Sequence, residues 1–549
     1  MNGFERNAMQ FLSVVGLVVL LVLAWGLSYH RRRIPFRTVA WGLALQFVFA
    51  LIILRQDAWS FIGMATLATL VVAYLLRGER RRFLPGLPGL ATALISAAGI
   101  GALVGWLVPT ALPWLTAAAA VGAATRRRVG LPASAGQVAG VLVVVFGTTW
   151  LVVNGIYGQV IFASFSARVA NFLALSDYGA RFLFGNLADG RYFFVSDGST
   201  WPGFGFQFAF KVLPTIIFFG GFMGVLYYLG IMQIVIEALA RFMRWTVGTS
   251  GAETLSCTAN IFVGQTEGPL LIKPFLVDMT RSELLTVMVG GFATIAGGVL
   301  AGYISLGIPA GHLIAASVMS APAALVVGKI IYPETEHSAT AGDVSLPEID
   351  SGGNVIEAAT NGITDGFKLA LNVGAMLIGF IALIAVLDVL LGWIDGVIDG
   401  RLLGGEYVAY AVKTAWSPAV GEFRGVVPGS LQTLFGTLLR PLAWLMGVPW
   451  TDAALVGNLL GIKISLNEFV AYGALGTYMQ DGALSERATV ISTYALCGFA
   501  NFSSIGIQIG GISAVAPTRK SALAALGLKA MFGGAIASWL TATIAGMLL

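Results

Sequence analysis

Five stretches of this chain contain no Asp, Glu, Lys or Arg: residues 83–125, 129–167, 284–328, 488–518 and 530–549. A helix needs about 20 apolar residues to cross the hydrocarbon of a bilayer, so each stretch can supply at least one span. Only 11% of the 549 residues are charged, against roughly 25% in soluble proteins, and a water-solvated globule is excluded. The period-2 alternation of a membrane barrel is missing, and lipid tolerates no other spanning backbone, so the spans are helices. Glycine, at 70 residues without a Gly-X-Y period, fits helices that approach closely through small residues. The expected fold is an all-α polytopic membrane protein with one membrane domain.

Charge placement gives sidedness. Arg31 to Arg33 with Arg37, Arg77 with Arg80 to Arg82, Arg126 to Arg128, Arg241 with Arg244, Lys273 with Arg281, and Arg519 with Lys520 can all face the cytoplasm in one topology. That topology predicts helices near 9–29, 36–54, 58–76, 87–109, 111–125 and 137–157, the first with its N-terminus outside. The net charge of +5 is then the positive-inside bias of loops, and no basic patch with interleaved aromatics points to nucleic acid. Cys257 and Cys497 lie in apolar segments and read as small buried residues. Residues 168–210 suit an interfacial helix and an external loop, or a plain surface loop. Residues 334–350, with Glu334, Glu336, Asp343, Glu348 and Asp350 and no basic residue, read as a flexible linker between two halves.

The halves share a pattern. Gly291-Phe292-Ala293-Thr294 recurs 207 positions later as Gly498-Phe499-Ala500-Asn501, and Glu267 recurs 201 positions later as Glu468. Around Glu267, the run from Asn260 to Ile272 sets polar side chains and a Gly-Pro pair between apolar flanks too short to span twice. It is expected to enter and leave by the same face as a re-entrant hairpin, since irregular backbone at membrane depth needs protein or a cavity around it. Ser465 to Tyr472 reads as the matching hairpin. Gly290 to Gly298 and Gly498 to Gly506 are expected to be interrupted helices, and such helices in corresponding positions of two halves point to a transporter's binding site. The alternative for Gln265, Thr266 and Glu267 is that they cap helices and bond to one another, and for Asn501, Ser503 and Ser504 that they form interhelical hydrogen bonds.

The run Gly264-Gln265-Thr266-Glu267 with Pro269-Leu270-Leu271-Ile272, the run Asn467 to Tyr472 and the run Cys497 to Ser504 resemble the concentrative nucleoside transporter family, as do Leu213 to Phe219 and Leu226 to Gly230. The resemblance spans residues 9–54 and roughly 180–549. It implies an elevator-type fold with inverted repeats, two re-entrant hairpins and two unwound helices, assembled as a homotrimer in the bilayer. It further implies that Gln265, Thr266 and Glu267 meet the nucleobase beside an apolar wall at Val299. Glu468, Asn501 and Ser504 would hold the ribose, and Phe499 would pack on sugar or base. Carboxylates and amides suit the donors and acceptors of a neutral nucleoside. Co-transported sodium would sit on the side chains of Asn260 and Thr294 and the carbonyls near Val263 and Ile295. Gly268, where relatives commonly carry Ala, and Thr294, where some carry Ser, are departures from the family pattern.

The resulting organisation places the first two helices, a scaffold element, at 1–54 and extra helices at 55–150. An interfacial helix and loop occupy 151–210. The first half covers 211–332 with a hairpin at 252–273, an acidic linker covers 333–360, and the second half covers 361–549 with a hairpin at 452–478. The function expected is sodium symport that imports nucleosides across the bacterial inner membrane, with proton coupling as the alternative. An enzyme is the rival class. His30, His312 and His337 are the only histidines, and neither a His-Glu-x-x-His spacing nor a phosphate-binding Gly-x-x-x-x-Gly-Lys loop occurs.

Overall fold

The computed structural model describes residues 3–76, 113–117, 133–193, 203–205, 207–341, 352–405 and 425–549. Among them, nine helices are long and apolar enough to cross a membrane. The chain begins with α1 (Gly3–Gly26), α2 (Phe36–Leu54) and α3 (Ala58–Leu75), then α4 (Ala133–Val153), α5 (Gly158–Leu173) and α6 (Ser176–Phe184). Pro35 precedes α2, and the Asp57 carboxylate starts α3 by accepting from the Trp59 amide at 3.1 Å. The helices expected at 87–109 and 111–125 lie outside the described residues apart from 113–117, which are helical. Residues 158–192 are helix and 3-10 turn almost throughout, so the mixed stretch begins as helices before any loop.

The first half continues with α7 (Phe208–Tyr228), α8 (Ile231–Val247), α9 (Gly251–Ala259), the four-residue α10 (Glu267–Leu270), α11 (Arg281–Ala293), α12 (Gly297–Ser305) and α13 (Ala310–Ile331). The second half holds α14 (Val355–Asp395), α15 (Leu431–Leu445), α16 (Ala453–Ser465), α17 (Glu468–Gln480), α18 (Glu486–Leu496), α19 (Phe502–Val515) and α20 (Lys520–Leu548). Capping boxes start α9 at Ser250 with Glu253 and α11 at Thr280 with Glu283.

Two bodies organise the packing. In one, α7 runs along the 41-residue α14. Gly220, Gly221 and Gly224 meet Ala358, Gly362 and Gly366, and a Cβ at these glycines of α7 would enter the facing chain. In the other, α11, α13 and α20 pack on each other, with α11, α13 and the C-terminal part of α20 mostly buried. The first two helices, expected in the scaffold, pack there as well, α1 on α20 and α2 on α13.

The acidic linker differs from its expectation at both ends. Glu334 pairs with Lys329 at 3.5 Å and accepts from Thr280 Oγ1 at 2.8 Å, while Ser338 and Thr340 each donate to Glu283 at 2.6 Å. Residues 334–341 therefore fold back over the starts of α9 and α11. The reason is local: a buried Lys329, paired with Glu253 at 2.8 Å, and the polar caps of two helix N-termini require partners. At the other end Asn354 caps α14, so helix begins inside the span 333–360.

Candidate functional site

The two expected interruptions are present. Hairpin 1 consists of α9, the loop 260–266, α10 and the turn Lys273–Phe275, against the expected 252–273. Hairpin 2 is α16 and α17 joined only by Leu466 and Asn467, against the expected 452–478. Break 1, Thr294 to Ala296, parts α11 from α12, and break 2, Cys497 to Asn501, parts α18 from α19.

The breaks touch. Gly498 has φ +109°, and a Cβ there would lie 2.7 Å from the carbonyl carbon of Ala293. Only glycine meets both demands, a left-handed backbone and a backbone in contact on its Cα. The tip of hairpin 1 rests on break 1, where the Gly297 amide donates to the Phe262 carbonyl at 3.0 Å.

Across this junction runs a chain of hydrogen bonds. Gln265 Nε2 donates to Ser504 Oγ at 3.2 Å. Asn501 Oδ1 accepts from the Ser504 amide at 2.9 Å and from Ser503 Oγ at 2.8 Å, which makes Asn501 the cap of α19. Its Nδ2 donates to Glu468 Oε2 at 3.3 Å, and Tyr303 donates to Glu468 Oε1 at 2.9 Å. One relay thus joins hairpin 1, break 2, hairpin 2 and α12. Interhelical hydrogen bonding, the alternative for Asn501 and Ser504, is present, and the same bonds bring Gln265, Ser504, Asn501 and Glu468 together.

Gln265, Asn501, Ser504 and Glu468 are buried. A carboxylate at 4% exposure is costly unless hydrogen-bonded, and Tyr303 and Asn501 supply those bonds. Gln265 Oε1 is buried and accepts no hydrogen bond among the described residues, an acceptor set toward the same junction. Val299 is buried one turn before Tyr303, on the same face of α12. Phe499 is half-buried within break 2. Thr266 donates to Glu267 Oε2 at 3.1 Å, and Glu267 is exposed at the start of α10, outside the relay.

The residues expected to hold sodium are also buried: Asn260, Val263, Thr294 and Ile295. Thr294 Oγ1 donates to the Gly290 carbonyl at 2.8 Å, leaving its lone pairs as acceptors. No hydrogen bond among the described residues ends on the carbonyl oxygen of Val263 or Ile295. Buried carbonyls are nearly always paired; these two are not paired among the described residues. A Cβ at Gly268 would strike the Asn260 side-chain oxygen, so glycine at that departure gives Asn260 its place.

Comparison with known proteins decides the family. Three sequence profiles match in order: "Na+ dependent nucleoside transporter N-terminus" over residues 15–79, "Nucleoside recognition" over 209–310 and "Na+ dependent nucleoside transporter C-terminus" over 312–546. An uncharacterized transporter of Haemophilus influenzae is 43% identical over 416 residues, 75% of this chain and 90% of its own length. The chain belongs to the sodium-dependent nucleoside transporter family. The mouse sodium/nucleoside cotransporter 1 is 43% identical over 406 residues, 71% of this chain but 56% of the mouse protein. The fold is similar to CNTnw in an inward-facing substrate-bound state, at TM-score 0.70 and 32% identity over 98% of both chains, and to a CNTnw variant in an outward-facing state, also at 0.70.

Membership makes the chain a nucleoside transporter and sets aside the enzyme reading, since the family's members are transporters. The N-terminal match reaches residue 79 and takes in α3, which sequence reading had grouped with the extra helices. Three polar residues of the junction were not singled out from sequence: Tyr303, Gln508, which donates to the Met288 carbonyl at 3.1 Å, and Lys463, which donates to the Ala495 and Cys497 carbonyls at 2.9 and 3.0 Å. For Lys463 a signal existed, an ionisable side chain inside an apolar helix.

Proposed function

We propose that this chain imports nucleosides across the inner membrane by sodium symport, one nucleoside and sodium binding together at the junction of the hairpins and breaks. The relay from Gln265 through Ser504, Asn501 and Glu468 to Tyr303 carries this reading, because it gathers amide, hydroxyl and carboxylate groups from four elements into one buried place. Gln265, Thr266 and Glu267 address the base, with Val299 as its apolar wall. Glu468, Asn501 and Ser504 hold the ribose hydroxyls, and Phe499 packs on the ligand. A nucleoside is neutral, so hydrogen-bonding groups suffice and no cationic clamp is needed.

Sodium binds Asn260, Thr294 and the carbonyls of Val263 and Ile295. Because those residues fix the tip of hairpin 1 on break 1, the ion orders Gln265 for the base. The coupling is reciprocal and needs about 1–3 kcal/mol. Both hairpins are re-entrant, and the body holding them moves across the bilayer against α7 and α14 of a homotrimeric scaffold. Support comes from the packing of the two bodies and from relatives solved in inward- and outward-facing states.

The test is labelled uridine uptake into proteoliposomes, repeated with adenosine, under an inward sodium gradient, an inward proton gradient, or neither. The reading expects accumulation with sodium alone. Accumulation with protons alone would keep the nucleoside site and remove the sodium assignment, and no uptake of either nucleoside would remove both.

A further inference from the structure

Lys463 is fully buried in α16. No carboxylate among the described residues forms an ion pair with it, and its ammonium donates to the main-chain carbonyls of Ala495 and Cys497. An isolated buried ammonium is among the most costly groups a protein interior can hold. Its bond partners, however, are carbonyls at the end of α18 and the start of break 2, which an interrupted helix leaves short of amides; that of Cys497 also accepts from Ser538 Oγ.

The repeat shows what is unusual here. Shifted by 207 positions, Ala495 and Cys497 correspond to Met288 and Gly290 before break 1. Those two carbonyls take neutral donors, Gln508 Nε2 at 3.1 Å and Thr294 Oγ1 at 2.8 Å. The position of Lys463 corresponds, through the 201-residue shift of the glutamates, to Phe262 at the tip of hairpin 1. Hairpin 1 therefore brings no charge to its break, whereas hairpin 2 brings one on a side chain.

Charge balance gives the difference a meaning. In residues 256–270, 288–300, 460–472 and 493–508, which form the hairpin tips and breaks, the charged side chains are Glu267, Glu468 and Lys463. Glu267 is exposed, so the buried charges are Glu468 and Lys463, one of each sign, and the second half needs no exchangeable cation. We propose that the Lys463 ammonium is a tethered cation that bridges hairpin 2 to break 2. In the second half it takes the place that exchangeable sodium takes in the first, so that one sodium accompanies each nucleoside. The second clause rests on the sodium reading above; the first rests on geometry alone.

The experiment measures equilibrium uridine binding to the purified full-length protein at saturating sodium, for wild type, Lys463→Met and Lys463→Ala, with and without n-propylammonium. Methionine keeps the packing and removes the charge, while alanine also opens space for a small amine. Both variants are expected to bind roughly tenfold to a hundredfold more weakly, as the carbonyls of Ala495 and Cys497 lose a charged donor. The amine is expected to restore the alanine variant and leave the methionine variant unchanged. Wild-type binding by Lys463→Met, or loss in both variants without rescue by the amine, would overturn the tethered-cation role.

A companion measurement needs no variant: the ratio of labelled sodium to uridine carried by wild type in proteoliposomes, expected to be one. A ratio of two would overturn the substitution of lysine for a second ion, and this ratio decides the matter if either variant fails to fold. Amine rescue together with an unaltered sodium dependence of Asn260→Ala would instead sink the sodium site and leave Lys463 standing.

Discussion

Hairpin 1 and hairpin 2 occupy matching places in the two halves and are built differently. Hairpin 2 joins two 13-residue helices through two residues, and buries Glu468 against Tyr303 and Asn501. Hairpin 1 joins a 9-residue helix to a 4-residue one through an irregular loop that ends on the exposed Glu267. Among its contacts are the Gly297 amide on the Phe262 carbonyl, Ser317 on the Ile261 carbonyl and the bond from Gln265. The second hairpin is held by its own side chains, whereas the first presents unpaired carbonyls that an ion can bind. On the proposed sodium reading, this asymmetry leaves one arm preformed and the other completed by the ion.

Substitutions can break or sharpen that contrast. The largest effect is expected where the two breaks meet. Gly498→Ala forces a side chain into the backbone of Phe292 and Ala293 at a positive φ, and a strained residue of this kind costs about 1–3 kcal/mol before any clash is counted. Thermal unfolding in detergent should show a marked loss of stability together with loss of uptake. Next comes Glu468→Gln, which keeps the shape and removes a charged acceptor bonded to Tyr303 and Asn501. Charged hydrogen bonds are worth about 1.5–3 kcal/mol each, so uridine uptake should fall by about a hundredfold while the melting temperature holds. Uptake at the wild-type level would remove Glu468 from the site.

On the other arm, Asn260→Ala deletes a neutral ligand and should raise the sodium concentration for half-maximal uptake by about tenfold. A sodium dependence equal to wild type would count against the ion site. An effect no larger is expected from Tyr303→Phe, which removes one donor to Glu468 while Asn501 remains. Uridine affinity should weaken by about tenfold, the low end of the worth of one charged hydrogen bond, with sodium dependence unchanged. A shift in sodium dependence there would show that the two arms are not separable in this way.

Much of the architecture was legible in the sequence because lipid makes polar residues conspicuous. Asn467-Glu468 and Asn501 with Ser503 and Ser504 stand out inside apolar helices, and they do mark the turn of hairpin 2 and the restart of α19. The pairing across the junction was not legible, since Gln265 and Ser504 are 239 residues apart and neither predicts the other. Tyr303 gave no signal because an aromatic ring in an apolar helix looks like core until its hydroxyl finds a carboxylate. The start of the acidic linker was not legible for a related reason. Composition reports that Glu334, Ser338 and Thr340 are polar, but their partners on Lys329 and Glu283 lie on other helices.

The most direct test of the account is a calorimetric titration of uridine into purified protein over a series of sodium concentrations at fixed pH. The account predicts that uridine affinity rises about fivefold or more from sodium-free to saturating conditions, and that saturating uridine raises sodium affinity by the same factor. A uridine affinity that ignores sodium would contradict it.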